Sequence, residues 1–170
     1  RQMPILKETI PLQNGEDTTI VIRLTHHGPI ISDIHPLLRG SKEVMSMSWT
    51  GHWVTREMDA WVDVNTMKDW DDFSRAVENF GVPGQNIVYA DINGNIGWRP
   101  AVFIPLRKEG FSMIPRPGND SQYDWKGKVP YSKMPFLYNP AGGYISTANN
   151  KTIGSDFPYY ISGLWADPSR

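Results

Sequence analysis

Hydrophobic and β-branched residues concentrate in two stretches near the start of the chain, Ile5 to Leu12 and Thr18 to Leu24, and read as strands. Ile20, Ile22 and Leu24 then share one face of a strand. Between the stretches stands Asn14-Gly15, two residue types that tolerate the positive φ of a type I′ turn, so the pattern predicts a hairpin. Ile30 and Ile31 begin a further short strand after Gly28-Pro29, and Met45, Met47 and Trp49 alternate with polar residues as a half-buried strand would. The period then changes. Thr55 is placed to cap a short helix carrying Met58, Trp61 and Val62. Asp69 is a stronger cap, with Asp71 and Asp72 in the first turn, where the helix dipole favours negative charge. Trp70, Phe73, Val77 and Phe80 make one apolar helical face, Gly81 suits a left-handed C-terminal residue, and Pro83 blocks continuation. A second hairpin follows, with Asn86 to Ala90 and Ile96 to Trp98 joined at Asn93-Gly94. Residues 99–142 carry repeated prolines and read as an irregular segment packed through Phe111, Tyr123, Trp125 and Tyr138. Gly143 to Thr147 is the last strand candidate, ending in Ala148-Asn149-Asn150.

Composition narrows the functional classes. At 170 residues the chain is one ordinary domain or a large piece of one. Its 17 basic and 18 acidic residues give a net charge of −1, which supplies no electropositive field for nucleic acid. No apolar run approaches the roughly 20 residues of a membrane span, so the chain reads as soluble. Cysteine is absent, which removes disulfides, thiolate metal sites and a cysteine nucleophile from these residues. The chain starts at Arg1 with no signal segment, the pattern expected of a processed or excised polypeptide.

Candidate chemistry is sparse. His26, His27 and His35 lack the spacing of a zinc-protease motif and a completing thiolate or carboxylate nearby, so no metal set is assigned. Ser32, Asp33 and His35, or Ser155 with Asp156, supply the residue types of a catalytic triad, but neither serine lies in a nucleophile elbow. Asp91, Asn93 and Asn95 resemble part of a calcium loop, yet Val102 stands where the closing glutamate is required, and a tight turn is the expected role. The 7 tryptophans are read mainly as core, the alternative being a ligand platform. Asn149-Asn150, two neutral amides after a strand, suit either a turn or donors to a developing oxyanion.

Several segments taken in order carry a resemblance. They are Thr25-His26-His27-Gly28-Pro29-Ile30, Ser48-Trp49-Thr50, and Gln85-Asn86 followed by Tyr89 to Trp98. Gly143 to Asn150, Phe157-Pro158-Tyr159-Tyr160 and Trp165 to Arg170 complete the set. Together they resemble the penicillin acylase family of N-terminal-nucleophile amidohydrolases over essentially the whole chain. The resemblance implies an α+β fold, part of an αββα sandwich with a β-rich excursion at the N-terminal side. Residues 1–53 would be the β-rich region, 54–82 the helical region, and 83–170 the hairpin, the irregular segment and the oxyanion-hole strand.

The resemblance further implies a fragment of the large subunit of a self-cleaving precursor, downstream of a serine nucleophile and inactive alone. Asn149 would donate to the oxyanion hole, and Arg170 would hold the asparagine and the nucleophile region in place. Trp49 and Gln85 align with positions lining the acyl pocket, where Gln85 departs from the apolar residue of well-known members. No cofactor is implied in this stretch. The calcium that some members bind uses an acidic ligand aligning nearer Tyr159 than Asp156, and further ligands beyond the chain. The implied partners are an amide substrate and the remaining large and small subunits, and the implied location is periplasmic or extracellular. The alternatives are a non-catalytic ligand-binding β-rich module and a degenerate acylase homologue.

Overall fold

The computed structural model describes residues 3–107, 114–148, 150–154 and 156–162. Strands β1 (Ile5–Pro11), β2 (Asp17–Thr25) and β3 (Gly28–Pro29) form an antiparallel sheet in that order. The β1–β2 register sets Leu6 opposite Ile22 and Glu8 opposite Ile20, placing the expected apolar row on one face. That register leaves residues 12–16 as the loop, with the Gly15 N–H donating to Leu12 O at 3.0 Å. Only Gly15 has positive φ, at 86°, so the turn is not the two-residue type I′ form predicted at Asn14-Gly15. A longer loop needs one left-handed residue rather than two, and glycine alone supplies it.

The expected strand at Ile30-Ile31 is reduced to a single bridge from Ile30 to Ser46, and the alternating stretch at 45–49 forms no strand beyond it. The Met47 N–H donates to Pro29 O at 2.9 Å and the Ile31 N–H to Met45 O at 2.8 Å, so the two segments touch without a continuous ladder.

Helix α1 spans Glu57–Thr66 and α2 spans Trp70–Glu78. Asp69 caps α2 as expected, its carboxylate accepting from the Asp72 N–H at 2.9 Å. Phe73, Ala76 and Val77 are the buried residues of the helix. The helix stops before Asn79, and Gly81 is not left-handed. Its lack of a side chain serves packing, because a Cβ there would lie 2.6 Å from Thr55 Cγ2 and 2.7 Å from Phe103 Cδ2. In α1 the N-cap is Arg56 rather than Thr55, and Ala60 is the buried residue. Met58 and Val62 face outward at 76% and 62% exposure, because the small Ala60 lets α1 approach α2 closely.

The second antiparallel sheet comprises β4 (Gln85–Ala90), β5 (Ile96–Ala101) and β6 (Leu137–Tyr138), with β5 in the middle. Its β4–β5 loop repeats the first hairpin: Ala90 pairs with Ile96, the Gly94 N–H donates to Asp91 O, and Gly94 alone is left-handed. Leu137–Tyr138 supplies the third strand, whereas the described residues of 143–147 form none. None of the described backbone hydrogen bonds pairs 144–148 with a neighbouring strand.

Residues opposite one another share a face, so Tyr89–Gly97 and Gln85–Ala101 lie on one side of the sheet and Asn86–Pro100 and Val88–Trp98 on the other. Helix α2 covers the first side, building a core of Ala60, Phe73, Val77, Phe80, Tyr89 and Ala101. Trp70 stacks on Tyr138 at 4.8 Å and meets Tyr89 at 5.7 Å, with its six-membered ring over Gly97. A second cluster of Ile104, Val129 and Met134 underlies the irregular segment. The tryptophans are less uniformly core than expected: among those described only Trp98 is fully buried, while Trp49 and Trp61 are 51% and 45% exposed. Phe111 and Trp165 lie outside the described residues.

A Cβ at Gly97 would sit 2.1 Å from Trp70 Cζ3. Gly97→Ala should therefore destabilise the protein carrying this chain by about 1–3 kcal/mol through overpacking. Trp70→Ala should cost about 3 kcal/mol by emptying the same contact. Denaturant unfolding of both variants checks this, and wild-type midpoints would contradict it.

Candidate active-site cleft

A cleft of about 230 Å³ opens at the start of β4. Gly84, Gln85 and Asn86 form one wall and Pro100, Val102 and Ile104 the next, with Met134, Pro135, Asn150, Thr152 and Ile161 closing it. The structure thus brings the sequence candidate Gln85 into one cleft with Asn150. Asn149, Arg170 and Ser155 lie outside the described residues. Asn150 is occupied locally: its Oδ1 accepts from the Ala148 N–H at 2.9 Å, and its Nδ2 donates to Lys151 O at 3.3 Å. Trp49 is not a lining residue of this cleft, and its ring meets His52 edge-on at 5.5 Å.

The wall at 84–86 is held from the helical region. Glu57 Oε1 accepts from the backbone N–H of Gly81 at 3.0 Å and of Val82 at 2.9 Å, immediately before the cis Val82–Pro83 bond. Burial raises the Glu57 carboxyl, but hydrogen bonds from the Val82 N–H, the Thr55 hydroxyl and the Gly81 N–H outweigh that and leave it below the ordinary glutamate range. At the next step of the wall, Asn86 Oδ1 accepts from Trp98 Nε1 at 2.9 Å, fixing the amide at the cleft edge. No signal in the sequence marks Glu57 for this task, because its partners are backbone groups more than twenty positions away.

The other sequence candidates resolve as follows. Asp91 Oδ1 accepts from the N–H groups of Asn93 and Asn95, each at 2.9 Å, and Oδ2 accepts from Asn95 Nδ2 and the Tyr89 hydroxyl. The carboxylate is consumed in stabilising the turn, as the calcium-loop comparison anticipated. Hydrogen bonding from Asn95 holds Asp91 below the usual range, while burial and the bond to Asp91 push Tyr89 up to about 12. The residues Ser32, Asp33 and His35 form no triad. Asp33 pairs with Arg23 (Nε to Oδ2, 2.9 Å), Ser32 Oγ accepts from the Met45 N–H, and His35 Nδ1 accepts from the Leu37 N–H. His26 and His27 gather around Asp124 rather than His35, their ligand atoms all lying within 4.8 Å of one another. Among the described residues, no helix is long and apolar enough to cross a membrane.

The penicillin amidase family model matches residues 1–170. The chain belongs to the penicillin amidase family. It is similar to the penicillin G acylase of Escherichia coli, with 32% identity over 167 residues covering 96% of this chain and 19% of the relative. It is also similar to the acyl-homoserine lactone acylase QuiP of Pseudomonas fluorescens (strain Pf0-1), with 28% identity covering 86% of this chain and 18% of the relative. Among solved structures, the thermostable penicillin G acylase from Alcaligenes faecalis matches with a TM-score of 0.73 and 28% identity, covering 96% of this chain and 29% of that one. The chain therefore spans less than a third of the length of the relatives described. The α+β reading holds, with the helices and antiparallel sheets forming part of the N-terminal-nucleophile fold of this family.

Because the Glu57 carboxyl is depressed in the folded protein, its contribution to stability is complete above the ordinary value of 4.5 and is lost as the pH falls below it. Glu57→Gln should lower stability by about 1 kcal/mol near neutrality, with the gap to wild type closing in acid. Unfolding midpoints measured across pH check this. A gap of constant size would contradict it.

Proposed function

We propose that the protein carrying this chain is an amide hydrolase of N-acylated substrates, in which this segment supplies one wall of the acyl pocket and the oxyanion-hole asparagine. Family membership supports the reaction class, and the curated relatives are named as acylases of penicillin G and of acyl-homoserine lactone. The observation that carries the local assignment is the cleft in which Gln85 and Asn150 line one cavity, because Asn149 is the residue beside Asn150.

In the proposed reaction a serine freed upstream of Arg1 attacks the amide carbonyl, and its own α-amino group takes the hydroxyl proton. An α-amine titrates near ~8, close to working pH, and is already adjacent to the hydroxyl it activates. As the tetrahedral oxyanion forms, the Asn149 side-chain N–H donates to it. A neutral amide suits this task because it adds no full charge that would retain a carboxylate product. The α-ammonium returns the proton to the leaving amine, and water then hydrolyses the acyl-enzyme by the same sequence. Arg170 is a positioning residue that holds the asparagine and the nucleophile region through hydrogen bonds. Gln85 makes the acyl pocket more polar than an aliphatic residue would. Trp49, half-exposed outside the cleft, enters only as a wall that a neighbouring segment of the protein completes.

The remaining large subunit and the small subunit are the proposed covering partners. The apolar surface of β1 and β2 supports this, with Ile5 at 61% and Val21 at 53% exposure. Such open apolar area on adjacent strands is what burial against further chain would remove. Action in the periplasm or outside the cell is part of the same proposal.

In the full-length, processed protein, Asn149→Ala should lower kcat by ~10²–10³ while leaving KM within a few-fold. An unchanged kcat would overturn the oxyanion assignment. Gln85→Leu should shift kcat/KM toward purely apolar acyl groups by about tenfold, as expected when a polar amide is removed from a pocket wall. An unaltered acyl preference would remove Gln85 from the pocket.

A further inference from the structure

We propose that His26, His27 and Asp124 form a binding site for one divalent transition-metal ion of the zinc type. The two histidines occupy the tight turn between β2 and β3, where Thr25 pairs with Gly28. The Thr25 hydroxyl fixes this turn, donating to Gly28 O at 3.0 Å and accepting from the His27 N–H at 3.2 Å. Asp124 is fixed from the opposite side, its N–H closing a helical turn at Ser121–Tyr123 by donating to Ser121 O at 3.2 Å. Both halves of the site therefore stand on backbone held by its own hydrogen bonds.

The donor atoms already have the spacing of a coordination shell. His26 Nε2 lies 3.5 Å and His27 Nε2 3.7 Å from the same oxygen, Asp124 Oδ1. Zinc bonds of about 2.0–2.1 Å in tetrahedral geometry separate neighbouring ligands by about 3.4 Å, close to both imidazole-to-carboxylate distances. His27 Nε2 lies 3.1 Å from the Gly118 carbonyl, within reach to donate a hydrogen bond that metal binding at that nitrogen would replace. Two imidazoles and a carboxylate form a set suited to zinc and its neighbours rather than to magnesium or calcium.

A second observation points to a cation independently of the spacing. Asp124 Oδ1 is buried and has no hydrogen-bond partner, although two imidazole nitrogens face it. An anionic oxygen removed from water without a donor is strongly unfavourable, and proteins place such groups against a counter-charge or a metal. His26 keeps 65% of its side chain exposed, which leaves the ion a route in from solvent and room for a water ligand. The ion would pin the β2–β3 turn to residues 118–124, joining the β-rich region to the irregular segment.

The test uses the full-length processed protein, stripped with a chelator and titrated with Zn²⁺ against a chromophoric competitor. Wild type and His35→Ala should bind one more equivalent than His26→Ala and Asp124→Asn, or bind it at least about tenfold more tightly. Saturating Zn²⁺ should raise the melting temperature of the first two proteins and not of the other two. His26 is largely exposed, so its replacement leaves the fold intact and keeps the comparison decisive. Equal stoichiometry and affinity in all four proteins, or no Zn²⁺ held by wild type against the competitor, would overturn the site. The histidines and Asp124 would then be a simple ion-pair cluster.

Discussion

The contact between the Trp70 ring and Gly97 is the constraint on which the rest of the structure depends. It seats the first residue of α2 on the central strand of the second sheet, and the missing side chain at position 97 is what lets the indole lie there. From that anchor the helix runs across the sheet, so that Phe73 and Val77 reach Tyr89 and Ala101. The same ring stacks on Tyr138 and so fixes β6, the strand that completes the sheet. Large aromatic rings carry most of this packing, as expected where short elements must fill a core with few residues.

Seating α2 also determines the cleft. The helix covers one side of the β4–β5 sheet and leaves the other to Asn86, Pro100 and the residues after β5. The chain leaves α2 and turns into β4 through Gly81 and Val82, and Glu57 on α1 holds those two N–H groups. One carboxylate on the neighbouring helix thereby sets the entry of the strand that begins with Gln85. Across the cleft, Asn150 lines the opposite wall, its amide held by the Ala148 N–H and the Lys151 carbonyl.

Local chemistry was legible in the sequence where the partners are close neighbours. The Asp69 cap, the apolar face of α2, both hairpins and the turn role of Asp91 all depend on residues within a few positions. The turn type was not legible, because Asn-Gly fits both a two-residue turn and a longer loop, and strand register decides between them. The alternation at 45–49 and the strand candidate at 143–147 formed no strands, since a strand requires a partner that a local pattern does not supply. On α1 the small Ala60, rather than the bulky Met58 and Val62, is the buried residue, which the sequence of that short helix did not indicate. Grouping His26 and His27 with His35 followed nearness in sequence, whereas the folded chain brings Asp124 to them from a distant turn. The family, by contrast, was legible from ordered segments before any geometry was known, and the similarity spans the whole chain. Trp49 aligned with the acyl pocket yet stands outside the cleft formed by this chain, because alignment assigns position without showing which neighbours complete a wall.

The central claim is that this chain is the oxyanion-hole and pocket segment of a self-processed acylase whose nucleophile lies upstream. N-terminal sequencing with intact mass of the mature polypeptide that carries it tests that claim most directly. The account predicts a large subunit beginning upstream of Arg1 with serine, whose hydroxyl stands beside a free α-amino group. A mature polypeptide beginning with a residue that has no side-chain nucleophile would contradict it.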